Sequence, residues 1–390
     1  MDSSILNIEV QDYINNNLNE DISRLLLKGI SFPDVESKAI IEQIEAKKRC
    51  EKKLPTWYNT DGIYFPNKLN IEQTSSEKAA AYKSNLVFGK LLIDLTGGFG
   101  VDSYYFSKKI NNVTHCEINQ NLSEIVKHNY DVLNTKNVTC LHESGIDALK
   151  RIGKPYDWIY IDPSRRDNIK NKVFLLSDCT PNVKTFQSLL LEYAKYVMIK
   201  TSPLLDITAT LNQLEHVKTI HIVAINNEVK ELLWVLEKDH QSSVEIKAVN
   251  LQKNNPQTFD FKYSKESNAD VVYNSPLAYL YEPNAAVLKA GAFNSICSLG
   301  VRKLHKHSHL YTSNELIDFP GRRFKIEKVI PFNKKAFSKE KIAKANITTR
   351  NFPLSVGDIR KKLKIKDGGN VYLFFTTNLD EEKVILVCIK

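Results

Sequence analysis

The chain has 390 residues, 42% of them hydrophobic and 25% charged, with a formal net charge of +9. That length exceeds one ordinary hydrophobic core, so two or three domains are expected. No apolar run approaches the roughly 20 residues that a membrane-spanning helix needs. Residues 1–21 carry acids and asparagines but lack the basic, apolar and cleavage-site series of a secretory signal. Six cysteines are scattered without a C-x-x-C pair, which predicts a reducing cytoplasm and no zinc site, with Cys116 and Cys140 as packed thiols.

The positive charge is concentrated near one end. Residues 322–366 hold 15 Lys/Arg against 3 Asp/Glu, a net of +12, which leaves −3 for the rest of the chain. A basic module on a near-neutral body is the footprint of a polyanion-binding appendage. A solvated lysine-rich face is the plainer reading of the same run.

Residues 1–53 read as helices, with Ile5, Leu6, Val10, Tyr13 and Ile14 at helical spacing. Ser31-Phe32-Pro33-Asp34 interrupts them, and residues 54–66 read as an irregular connector. Thr74-x-x-Glu77 has the form of a capping box that opens an Ala-rich helix. Thr74 and Ser75 could then face a cofactor carboxylate, or they could simply cap.

The stretch Leu91-Leu92-Ile93-Asp94-Leu95-Thr96-Gly97-Gly98-Phe99-Gly100-Val101-Asp102 is an apolar run, a glycine turn and the approach to a short amphipathic segment over 103–110. That predicts strand, tight loop and helix, the opening unit of a doubly wound α/β sheet. Glycines let a ligand touch backbone, and an anionic group meets free N–H groups where a helix starts. The dinucleotide pattern G-x-G-x-x-G is met only in part, by Gly98, Gly100 and Ser103. Asp94 and the loop 96–100 fit D-x-x-x-G-x-G, which suits S-adenosylmethionine (SAM) better. A second strand over 113–117 ends in Glu117, 23 positions after Asp94, where a carboxylate accepts ribose hydroxyls from either cofactor. Ile118 follows it.

A helix over 122–133 leads to a third strand over 138–142, and Ser144 or Asp147 then lies where an adenine amine would need an acceptor. The fourth strand, 158–161, runs into Asp162-Pro163-Ser164-Arg165-Arg166. Enzymes that methylate exocyclic base amines place Asp/Asn-Pro-Pro-aromatic at this point, and dehydrogenases have no need of it. Asp94, Glu117 and Asp162 could each merely cap a helix. Their recurrence at three consecutive strand ends favours a SAM site.

A helix over 180–194, a strand over 196–203 and a hairpin over 219–236, turning at Asn226-Asn227, complete a seven-stranded sheet. One more strand is expected over 244–251, and the polar residues 252–268 read as a linker. Pro283-Asn284 opens a helix that stops at Gly291. His305-x-His307-x-His309 alternates on one face but has interleaved lysines and no nearby acid, so it reads as a basic loop before it reads as a metal site. The basic module is expected as a strand over 326–332, helices over 334–345 and 356–363, and a final strand pair over 371–377 and 383–389.

Five stretches together resemble one family. They are Glu72-Gln73-Thr74-Ser75-Ser76-Glu77, Asp94 through Asp102 as written above, Asp162 through Arg166, Tyr281-Glu282-Pro283-Asn284-Ala285-Ala286-Val287 and Arg350-Asn351-Phe352-Pro353. The family is the class I SAM-dependent methyltransferases of Bacteroidota with a ferredoxin-like insert and a C-terminal THUMP-like domain. The resemblance runs from about Leu54 to the C-terminus. It implies an α/β, Rossmann-like seven-stranded class I methyltransferase sheet over 71–252 that binds SAM, and the helices read above place an N-terminal helical segment, 1–70, before it. It further implies a ferredoxin-like insert, 270–318, and an α+β THUMP-like module, 319–390. THUMP-type modules help bind structured RNA, in keeping with the charge.

The cofactor residues expected are Thr74, Ser75, Asp94, Thr96, Gly97, Gly98, Gly100, Asp102, Glu117, Ile118, Ser144 and Asp162. Asp162, Pro163, Ser164 and Arg165 are expected at the reacting centre. The second proline and the stacking aromatic of the amine-methylating pattern are absent here. Arg165 could stack through its guanidinium or hold a phosphate, or Arg165 and Arg166 could be structural. The expected partner is RNA, the expected location the cytoplasm, and no metal is expected.

Overall fold

A computed structural model of the protein describes residues 1–165 and 176–390, so Arg166 lies outside the described residues. The chain divides into two compact units, Met1–Lys218 with Leu233–Gln241, and Thr219–Leu232 with Ser242–Lys390.

The first unit opens with helices α1 (Ile8–Asn16), α2 (Ile22–Lys28) and α3 (Ser37–Lys53). Ile5, Val10, Ile14, Leu25, Ile40 and Ile44 close a small core between them. The second half of α3 turns Ala46 and Cys50 to another cluster, with Trp57, Phe99, Val101 and Leu122. One helix thereby joins the N-terminal segment to the glycine loop. The connector is more regular than expected. Pro55 starts α4 (Pro55–Tyr58), where its missing N–H costs nothing, and Asn67 caps α5 (Lys68–Gln73). The Gln43 carboxamide pins the stretch between them, donating to Phe65 O at 2.7 Å and accepting from Phe65 N at 3.0 Å.

The capping box expected at Thr74 does not form. Because α5 runs to Gln73, Thr74 becomes its C-cap, and Ser76 caps α6 (Glu77–Ser84) by accepting from Ala79 N. Glu77 is released for another use. Its carboxylate accepts from Thr56 N (2.6 Å), the Thr56 hydroxyl (2.8 Å) and the Tyr105 hydroxyl (2.9 Å), tying three segments together.

Strands β1 (Leu91–Asp94), β2 (Asn112–Cys116), β3 (Val138–Leu141), β4 (Tyr156–Ile161) and β5 (Ala194–Thr201) pair in parallel, β1 lying between β2 and β4. Leu92 and Ile93 are fully buried, the unbroken apolar run typical of a strand covered on both faces. The crossovers are α7 (Val101–Ser107), α8 (Gln120–Val132), α9 (Gly145–Ile152) and α10 (Val183–Tyr193), with α11 (Ile207–Leu211) following β5. Then come β6 (Val217–Ile225) and β7 (Glu228–Glu237), joined through Asn226 and Asn227 at φ 50° and 67°, as a two-residue hairpin turn requires.

β8 (Glu245–Leu251) lies parallel to β6, and β9 (Gln257–Lys262) antiparallel to β8. The strand order is β9-β8-β6-β7-β5-β4-β1-β2-β3, nine strands where seven were expected. The expected linker over 252–268 therefore contains a strand. Its alternation is short, with only Phe259 and Phe261 as buried apolar residues between polar neighbours, and is easily read as a polar run.

The second unit also carries a sheet of its own. Its strands are β10 (Tyr279–Pro283), β11 (Arg302–Lys303), β12 (Tyr311–Ser313), β13 (Gly321–Pro331), β14 (Lys344–Thr349), β15 (Lys366–Thr377) and β16 (Lys383–Ile389), in the order β11-β12-β10-β13-β16-β15-β14. Helix α12 (Ala285–Ala290) is capped by Asn284 and ended by Gly291, as the sequence predicts. The single helix expected over 334–345 is instead α13 (Lys334–Lys339) followed by β14. Lys341 takes the left-handed conformation that stops the helix, and Ala345 is buried with Leu373 and Phe375. Helix α14 (Val356–Leu363) opens with a true capping box, Ser355 with Asp358. Among the described residues, no helix is long and apolar enough to cross a membrane.

Candidate active site

At the end of β1, the Asp94 carboxylate accepts from Thr96 N at 3.1 Å and from the Ser103 hydroxyl at 2.7 Å. It is almost wholly buried, and that burial pushes its pKa up to about 7 against those two hydrogen bonds. The loop glycines have different jobs. A Cβ on Gly97 would stand 2.2 Å from His115 Nε2, and one on Gly100 2.4 Å from the Tyr130 hydroxyl oxygen. A Cβ on Gly98 would meet nothing nearer than Thr96 O at 3.9 Å. Gly97 and Gly100 thus serve close internal packing, while Gly98, at φ 54°, leaves an open backbone face.

Glu117, after β2, accepts from Gly98 N at 3.0 Å and from Asn119 N at 2.7 Å, one bond per carboxylate oxygen. Each oxygen keeps a second lone pair for a diol. Ile118 beside it is 73% exposed, an apolar surface at the rim. Ser144 precedes α9 without spending its side chain on the cap. Gly145 after it lies so close to Leu95 that a Cβ would be 2.2 Å from the Leu95 carbonyl oxygen.

Asp102 sits in a buried network. Its Oδ2 accepts from the Ser75 hydroxyl at 2.9 Å and the Tyr160 hydroxyl at 2.7 Å, and Lys83 Nζ lies 3.2 Å from Oδ1. Lys83 Nζ also donates to Ser75 Oγ at 2.8 Å. Burial raises the Asp102 pKa, but Lys83 and Lys200 together with the Tyr160 and Ser75 hydroxyls outweigh it, and the net displacement is downward. Lys83 was not anticipated, since a lysine in an Ala-rich helix reads as solvent-facing. Only its position two turns after Ser75 hints otherwise.

The fourth strand delivers the remaining residues. The Asp162 backbone N–H donates to Thr96 Oγ1 at 2.6 Å, which ties the Asp-Pro turn to the glycine loop. The Asp162 carboxylate is ion-paired with Lys200 near the end of β5, a partner the sequence reading missed because it lies 38 residues on. Pro163 is buried and Ser164 exposed. Ser164 and Arg165 form a two-residue antiparallel ribbon with Cys179 and Thr180.

The histidine triplet is occupied internally. His305 Nε2 lies 3.0 Å from Glu381, its Nδ1 takes His307 N at 3.1 Å and the Asn351 carboxamide at 3.0 Å, and the His309 ring stacks on Phe293.

A family described as THUMP domain-like matches residues 321–390, and one described as a ferredoxin-like domain matches 279–320. The crystal structure of a Porphyromonas gingivalis W83 protein, described as a candidate methyltransferase, is similar along the whole chain. The TM-score is 0.91 at 34% identity, with 100% of this chain and 99% of that one covered. The chain belongs to that protein's family, the class I methyltransferases with ferredoxin-like and THUMP-like domains. The two domain matches of this family member begin at the first residues of β10 and β13. More distant likenesses include an rRNA methylase from Streptococcus thermophilus (14% identity, TM-score 0.31, 42% of this chain and 96% of that one). Another is a Streptococcus mutans protein solved with SAH (17% identity, TM-score 0.31, the same coverage). No curated protein matches the sequence.

Proposed function

We propose that this family member transfers the methyl group of SAM to an exocyclic amine of an RNA base, with guanine the favoured base. The observation that carries the reading is the 2.6 Å bond from Asp162 N to Thr96 Oγ1, which holds the Asp-Pro turn against the loop expected to bind the cofactor. The donor set fits SAM. Gly98 leaves backbone open where a side chain would stand, Glu117 keeps lone pairs for a diol, and Ile118 offers an apolar face. Ser144 has a hydroxyl left over for an adenine edge.

When bound, SAM supplies a methyl already activated by the sulfonium, so the protein's task is placement. Asp162 and the Pro163 carbonyl would accept the hydrogens of the target amine. That turns its lone pair outward and stabilises the positive charge that grows as the C–N bond forms. Lys200 fixes the Asp162 carboxylate through their ion pair, and Asp94 holds the loop through Thr96 and Ser103. The THUMP-like match and the +12 run of residues 322–366 support RNA as the substrate.

The Lys200–Asp162 pair also favours a second reading, because it occupies a carboxylate oxygen that an amine would use, and Ser164 stands where the amine-methylating pattern has proline. On that reading the chain is a SAM-responsive RNA-binding protein without transferase activity. Transfer to a DNA or protein amine is the enzymatic alternative. Tritiated-methyl SAM incubated with total RNA, DNA and protein fractions separates the three. The expected result is label in RNA, abolished by Asp162→Ala while SAM affinity stays within severalfold. Label in RNA that survives Asp162→Ala removes the catalytic assignment, and label confined to DNA or protein removes the substrate.

A further inference from the structure

The motifs Glu282-Pro283-Asn284 and Arg350-Asn351 take no part in the methyl-transfer reading, yet the fold of the second unit brings them together. Glu282, 4% exposed at the end of β10, receives Arg350 at 2.8 Å on Oε1 and Arg322 Nε at 2.6 Å on Oε2. Both arginines line a cavity of about 550 Å³, within the usual range for ligand pockets. Lys253 lines it as well, so three cations face one carboxylate, a net of +2.

The remaining lining is amide-rich, but its amides fall into two sets. Asn227, Asn250, Gln257 and Asn284 satisfy one another and the local backbone. Asn250 Oδ1 accepts from Asn227 N at 2.8 Å, and Gln257 Oε1 accepts from Asn250 and Asn284, each at 3.2 Å. Asn227 Oδ1 accepts from Ala285 N at 2.7 Å. They are the frame. Asn226, on the hairpin turn, and Gln252 also line the cavity and stand outside that frame.

Glu282 takes one terminal nitrogen of Arg350 and the Nε of Arg322, and a guanidinium carries five N–H donors, so each arginine keeps donors beyond that pairing. The acceptor suited to two guanidiniums and an ammonium is a phosphate, which takes bidentate arginine contacts. Pro283 and Leu288 supply an apolar wall for a base attached to that phosphate.

We infer that this cavity is a nucleotide-binding subsite, in which Arg322, Arg350 and Lys253 hold a phosphate and Asn226 and Gln252 read the edge of its base. Its occupant is an unpaired nucleotide of the RNA substrate, and in that respect the inference rests on the RNA reading above. Glu282 orients the two guanidiniums and keeps the pocket from becoming an unselective cation patch.

The test is fluorescence anisotropy with a labelled, 5′-phosphorylated mixed-sequence RNA 12-mer at fixed salt, with adenosine 5′-monophosphate and adenosine as competitors. Arg350→Gln and, separately, Lys253→Glu are compared with the wild type and with Lys38→Ala, an exposed lysine of the N-terminal helices outside both the cavity lining and the basic run. Lys253 is exposed, so its variant keeps the test valid should Arg350→Gln unfold. The expected result is an RNA affinity about tenfold or more weaker for each lining variant, the loss of a charge-assisted contact, against less than twofold for Lys38→Ala. The monophosphate should displace RNA where adenosine does not. RNA binding that falls equally in all three variants, or in neither lining variant, overturns the subsite and leaves the RNA reading standing. Monophosphate binding that depends on Arg350 and Lys253 in a protein that ignores RNA upholds the subsite for free nucleotides and removes the RNA reading.

Discussion

Two carboxylates within the same loop-helix unit are set in opposite directions. Asp94 is raised because burial outweighs two neutral donors, while Asp102 is lowered because Lys83 and Lys200, with the Tyr160 and Ser75 hydroxyls, outweigh its burial. The consequences for stability have opposite sign. A folded-state value near 7, against an ordinary 3.8, means the folded protein holds the Asp94 proton longer than the unfolded chain, so stability falls as pH rises through that window. Asp102 contributes stability above the ordinary carboxylate range and loses it as pH falls below. Urea unfolding at pH 5 and pH 8 should therefore show a drop in the wild type that Asp94→Asn largely removes. Equal drops in both would place the titration elsewhere. Lys83→Met should cost on the order of 3–5 kcal/mol, since it strands a buried carboxylate, and adding Asp102→Asn should recover much of it. A double variant no more stable than the single one would contradict the pairing.

At the scale of the element, the glycine loop is legible in the sequence as a motif, but the division of labour inside it is not. G-x-G spacing says nothing of His115 under Gly97 or Tyr130 under Gly100, because those contacts come from β2 and α8. The contrast gives a ranked prediction. Gly145→Ala, driven 2.2 Å from a backbone carbonyl, should destabilise by about 3 kcal/mol or more. Gly98→Ala has room and should cost only about 1–2 kcal/mol for its left-handed φ. Its effect should fall on SAM affinity instead. Thermal unfolding in which Gly98→Ala is the worse of the two would reverse the assignment.

The elements that sequence reading missed share one cause. Local pattern makes Thr74 a helix-opening residue and 334–345 one helix, whereas the end of α5 and the packing of Ala345 against Leu373 decide otherwise. Lys200 and Asp162 are likewise joined only by adjacent parallel strands. Strong local signals survived. The Asn284 cap, the Gly291 stop, the Asn226-Asn227 turn and the β1 run all lie where hydrophobic period or turn chemistry places them.

For the whole molecule, the uneven charge makes a further demand. If residues 322–366 carry RNA through its phosphates, affinity must fall steeply with salt, at roughly 0.7 logarithmic units per phosphate neutralised for each tenfold rise in salt. Between 50 and 200 mM salt we expect a loss of at least tenfold, and SAM affinity should stay nearly constant over the same range. Salt-insensitive RNA binding would mean that the basic run is only a solvated face.

The central claim is that the carboxyl edge of the parallel sheet holds SAM, and calorimetric titration with S-adenosylhomocysteine tests it most directly. One site per chain is expected, weakened about tenfold by Glu117→Ala and changed no more than severalfold by Asp162→Ala. A protein that takes up no S-adenosylhomocysteine but binds a nicotinamide dinucleotide would contradict it.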